Sequence, residues 1–123
     1  MKREDAPSDR YGAVVTTYIQ AEIARWISDD FPGFVEWRFF DRFGKEWRGV
    51  EKTPVLATLD VRPDSQFPLP VLIACEVIAT RRDSAGREIA DITTKTPWGI
   101  AATDGTTGFQ LYAEQLQSDR DNI

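Results

Sequence analysis

At 123 residues, 41% hydrophobic and 28% charged, the chain has the size and composition of one globular domain. It contains no histidine, which removes Ser-His-Asp and Cys-His catalysis and H-E-x-x-H zinc sites, and leaves an enzyme only carboxylate, lysine, tyrosine or hard-metal chemistry. A net charge of −5 without a Lys/Arg cluster argues against nucleic acid and anionic membranes and favours a basic protein as partner.

Residues 1–10, MKREDAPSDR, are polar, patternless and without the apolar stretch of a signal peptide. We expect a flexible arm there and a cytoplasmic protein, since no apolar run reaches the ~18–20 residues that span a bilayer. Residues 13–27, AVVTTYIQAEIARWI, admit two readings. As a strand they alternate Val15, Thr17, Ile19, Ala21, Ile23 and Ile27 against polar neighbours, with Arg25 the misfit. As a helix they align Val15, Ile19, Ile23 and Ile27. The β-branched VVTTYI half and the missing capping box favour the strand.

A Pro/Gly-punctuated loop follows at 28–33, in which Asp29 and Asp30 suit turn hydrogen bonding better than a calcium site. Residues 31–54 then read as an aromatic hairpin. Asp41-Arg42-Phe43-Gly44 fits a three-residue loop with a G1 bulge, pairing Asp41 with Lys45, Phe39 with Trp47, Trp37 with Gly49 and Val35 with Glu51. Val35, Trp37, Phe39 and Trp47 form a core face, with Trp37 over Gly49. Arg38 faces Arg48 on the solvated face, with Glu36 and Glu46 diagonal to them.

Residues 58–70 hold three prolines and form a crossing loop. VLIACEVIAT and REIADITTK make a second hairpin around Asp83-Ser84-Ala85-Gly86, with a bulge expected near Ile78 and Ile92. The hairpins share D-x-x-G-[KR]-E, which common turn chemistry explains more simply than duplication. Cys75, the only cysteine, sits in the apolar run as a structural thiol and excludes any intrachain disulfide. Pro97-Trp98-Gly99 is a second aromatic loop, Asp104-Gly105 signals a two-residue turn, and a last strand spans 107–112. The tail from 117 reads as loose.

The fold expected is all-β, a small antiparallel barrel or rolled sheet of 5–6 strands across residues 11–116, with flexible termini at 1–10 and 117–123. The alternative is α+β, with residues 13–27 as a helix on the sheet.

Three groups are candidates for function. Glu51 points to the aromatic face near its end, where a raised pKa would suit a general acid; reaching solvent at the rim is the plainer reading. Glu36, Arg38, Glu46 and Arg48 form either a recognition surface or an ordinary exposed lattice. The aromatics in Pro/Gly-bounded loops, Phe31, Phe34, Trp98 and Phe67, are interface anchors or caps on the barrel ends.

The blocks WISDDFPGFVE, VEKTPV, PWG and DGTTGF resemble those of a group of small bacterial proteins. The resemblance implies the strand reading of 13–27. No catalytic residues are known for that group, so none carries over. Small acidic proteins of this kind are often immunity partners of secreted toxins, an analogy of size and charge. The sequence therefore points to a non-enzymatic protein-binding module, with Phe31, Phe34, Trp98, Asp29, Asp30 and Glu51 as partner-binding residues. It calls for no cofactor and no metal. The alternative is a β-barrel with a small-ligand pocket lined by Trp37, Trp47 and Glu51.

Overall fold

The computed structural model describes residues 16–56 and 61–118. Seven strands occur there, β1 (Thr17–Ser28), β2 (Phe34–Phe40), β3 (Glu46–Lys52), β4 (Leu69–Arg82), β5 (Glu88–Thr93), β6 (Gly108–Tyr112) and β7 (Leu116–Ser118). They form one antiparallel sheet in the order β3-β2-β1-β4-β5-β6, with β7 also on β1, curled into a half-barrel. The all-β expectation holds, and the helical alternative for 13–27 does not. Residues 13–15 lie outside the described residues, as do 1–12 and 119–123.

β1 is a strand because it is the centre of the sheet. Thr17–Ile23 pair with β4, while the opposite edge pairs with β2 beyond Glu22 and with β7 at Thr17–Ile19. Ile19, Ala21 and Ile23 are buried, as alternation requires. Past Ile23 the register slips twice, between Ile23 and Arg25 and between Trp26 and Ser28. Each slip is a one-residue bulge, and the first reverses which residues face inward. Arg25 therefore stands outside against Glu36, 3.1 Å away, and Trp26 packs on the core. Ile27, expected on the inner face, is exposed. The misfit at Arg25 was the mark of the bulge.

The β2–β3 hairpin has the register expected from its turn, with Phe39 opposite Trp47, Trp37 opposite Gly49 and Val35 opposite Glu51. Asp41 N donates to Lys45 O at 2.9 Å, Gly44 N to Asp41 O at 3.0 Å, and Gly44 has φ +81°. The same pair of bonds closes 83–87, with Gly86 at φ +86°. A third instance closes 102–106, so the expected two-residue turn at Asp104-Gly105 is in fact this three-residue loop. Asp104 Oδ1 accepts from Thr106 N, a bond that holds its carboxyl below the usual carboxylate range. One local turn chemistry thus recurs three times, which supports convergence over duplication.

The first turn is more heavily loaded than the second. Asp41 accepts from Phe43 N, Lys45 N and the Trp47 indole N–H, at 2.8, 3.0 and 3.0 Å. Among the described residues Asp83 accepts only from the amides of Ala85 and Arg87, both at 2.9 Å. Asp41→Ala is therefore expected to cost about 2 kcal/mol and Asp83→Ala about half that, measured by urea unfolding. Equal effects would show that the indole bond contributes nothing.

In the second hairpin the expected bulge is present. Val77 pairs with Ile92 and Ala79 with Asp91, leaving Ile78 as the extra, exposed residue. β4 starts at Leu69, so the crossing loop ends earlier than expected and Pro70 enters the sheet opposite Glu22. Residues 58–60 of that loop, with residue 57 before it, lie outside the described residues.

The sheet curls until its ends meet. Arg42 N donates to Gln110 O on β6, and Thr103 N donates to Arg48 O on β3, each at 2.9 Å. Phe39 and Trp47 meet Phe109 edge-on, with centroids 5.0 Å apart in both pairs. On β1, the gap between β2 and β7 is stitched by amide side chains. Gln115 Nε2 donates to Phe40 O at 2.8 Å, and Gln20 Nε2 to the carbonyls of Glu114 and Leu116. Gln117 and Ser118, read as loose tail, pair with Tyr18 and Thr17. A three-residue polar strand carries no periodic signal, and pairing with β1 alone orders it.

Candidate functional site

Two of the aromatic loops bounded by proline and glycine hold large apolar side chains in solvent, as the β2–β3 turn does with Phe43. Phe31 is 95% exposed and Trp98 64%. Both loops are pinned rather than slack. In 28–33, Trp26 Nε1 donates to Asp29 Oδ1 at 2.7 Å, Asp30 N to Ser28 Oγ at 3.0 Å, and Gly33 N to Asp30 O at 2.6 Å. Gly33, at φ +103°, lies under the Trp26 ring, where a Cβ would meet Cη2 at 2.7 Å. In 93–100, the buried Thr94 hydroxyl donates to Ile100 O at 2.5 Å, Gly99 N donates to Lys95 O at 2.9 Å, and Thr96 Oγ1 donates to Glu76 Oε1 at 2.6 Å.

Both loops abut the short 3-10 turn Thr53–Val55 that follows β3. Thr53 N donates to Gly33 O and its hydroxyl to Pro32 O, at 3.0 and 3.2 Å. Trp98 lines a shallow depression with Pro54, Val55 and Tyr18. The loop that carries Asp29, Asp30 and Phe31 and the loop that carries Trp98 thus both touch this turn, which follows closely on Glu51 in the chain. Asp29 serves the loop itself, as the turn reading expected. The Asp30 carboxylate has no hydrogen-bond or ion-pair partner among the described residues.

Phe34 departs from the loop reading. It is the first residue of β2, opposite Ser28 and Lys52, and is half-buried. Phe67 packs against the core, so of the four aromatics it is the one acting as a cap. Glu51 follows Val35 on the inner side of the rim, half-buried. Its carboxylate accepts only from Lys52 N, at 3.3 Å, and meets no cation among the described residues.

The charged lattice is larger than expected. Arg25, Glu36, Arg48, Glu46, Arg38 and Glu22 form one alternating chain across β1, β2 and β3, with links of 3.1, 2.9, 3.0, 3.8 and 3.0 Å in that order. The Arg48 hydrogen bond holds the Glu46 carboxyl below the usual range. Because its charges cancel in pairs, the lattice reads as a saturated outer face and not as a site waiting for a charged ligand. Sequence reasoning missed Glu22 and Arg25, since only the bulge places Arg25 on that face.

Trp37, Trp47 and Glu51 do not share an open pocket. Trp37 is fully buried, stacked on Phe39 at 5.6 Å and 9°, and its ring fills the space above Gly49. Cys75 is buried, and burial pushes its thiol up to about 12, far from the thiolate a nucleophile needs. Among the described residues no group of three His, Cys, Asp or Glu side chains is placed to hold a metal ion, and no helix is long and apolar enough to cross a membrane. Compared with protein-family models, curated proteins and solved structures, the chain matches none.

Proposed function

We propose that this is a non-enzymatic protein-binding module whose rim loops grip a partner protein, and that it is of immunity type, neutralising a basic bacterial toxin in the cytoplasm. The observation that carries the reading is the near-complete exposure of Phe31 on a pinned loop. An aromatic held rigidly in water loses little entropy on entering a partner's pocket and buries much apolar area there. Asp29 and Asp30 flank it, the Asp30 carboxylate is free to meet a cation, and the net charge of −5 attracts a basic surface over longer range.

The test is co-expression with the product of the neighbouring gene, followed by co-purification and a toxicity-rescue assay. Phe31→Ala and Trp98→Ala are each expected to weaken the complex by about 30-fold or more, as for an interface hot spot. Their melting temperatures should match the wild type, because neither ring supports the core. No complex and no rescue from toxicity would overturn the reading. So would a complex that tolerates both substitutions.

A further inference from the structure

The depression beside Trp98, of about 360 Å³, continues into a second one past Pro97, bordered by Val77 and Glu76. The two share Thr16 and Pro97, and together they make a groove lined by Trp98, Tyr18, Pro54 and Val55 in the first part and by Glu76 and Val77 in the second. Glu76 is the only charged residue among the described residues lining either part. One of its carboxylate oxygens holds Thr96, and the other has no partner among the described residues.

We propose that this groove takes an extended, proline-rich peptide segment carrying a lysine or arginine at the end that meets Glu76. The inference rests on the protein-binding reading and names the partner's chemistry. An extended proline-rich chain forms no internal hydrogen bonds and is already stiff, so an apolar groove with aromatic walls can hold it through ring faces at small entropic cost. The Glu76 carboxylate favours a cation there, since no lysine or arginine stands among the described lining residues. The exposure of Trp98 has no use within the fold, and stacking against proline rings gives it one.

The probe is a fluorescein-labelled proline-rich dodecapeptide ending in arginine, titrated by anisotropy against the full chain. One control replaces every proline with alanine, and another replaces the arginine with glutamate. Saturable binding that drops about tenfold or more with either control peptide and with Trp98→Ala, returns in part with Trp98→Phe, and falls several-fold with Glu76→Gln supports the proposal. Melting curves of the variants verify that they fold. No binding at millimolar peptide, binding equal for the alanine control, or indifference to Trp98→Ala overturns it. If the neighbouring gene product is captured while the peptide fails, this inference falls and the binding-module reading stands. If the peptide binds as expected while no protein partner forms a complex, the groove stands and the immunity reading falls.

Discussion

Gly49→Ala is expected to destabilise the domain by about 3 kcal/mol, more than most single-methyl insertions. A Cβ at this position would overlap Cζ2 and Cε2 of Trp37 and lie 2.8 Å from the carbonyl oxygen of Ala101. The ring cannot yield, because Trp37 is fully buried and stacked on Phe39. Nor can the carbonyl, because the neighbouring Thr103 N–H is bonded to Arg48 O and fixes the loop against β3. Urea unfolding measures the loss. A change below about 1 kcal/mol would mean the loop relaxes freely, and that the curl of the sheet does not depend on this contact.

Trp37→Ala is expected to be larger, about 3–5 kcal/mol, through lost transfer energy and the cavity left behind. Phe39 would lose its stacking partner and, through it, part of the Phe109 contact that joins β2 to β6. Trp37→Phe should cost distinctly less. It keeps an aromatic in the stack and removes an indole N–H that has no hydrogen-bond partner among the described residues. The two sites are also coupled. Adding Gly49→Ala to Trp37→Leu should cost at least about 1 kcal/mol less than adding it to the wild type, since the obstructing ring is gone. Additive losses would show that the two positions do not meet.

These expectations concern scaffold residues, while Phe31 and Trp98 are expected to leave stability untouched. That separation is itself informative. A residue that costs binding but not folding is presented for a partner, whereas Trp37 and Gly49 hold the sheet that presents it. The contrast also explains why the aromatic-rich hairpin draws attention first in the sequence yet holds little of the candidate site. Trp37, Phe39 and Trp47 are taken up by packing, while Phe40 and Phe43 stay exposed outside the candidate site.

Local chemistry determined much of this protein in advance. Asp41-x-x-Gly44 specified its turn, and a hairpin turn sets its own register, so the pairing of Trp37 with Gly49 and the sorting of Arg38 and Arg48 to the outside followed from sequence alone. The bulge near Ile78 was legible because the apolar pattern of two paired strands failed to align there. Only the tertiary structure decided the rest. The double bulge in β1 turned Ile27 out and Arg25 onto Glu36; the misfit at Arg25 hinted at an irregularity, but only the pairing with β2 shows two slips and which residues they turn outward. The polar tail became β7 because β1 had an unpaired edge to offer it. The gathering of Phe31, Asp30 and Trp98 around Thr53–Val55 joins residues far apart in the chain. The hairpin register brings the Phe31 loop to Thr53, while Trp98 reaches Pro54 and Val55 only through the curl of the sheet, which no segment carries by itself.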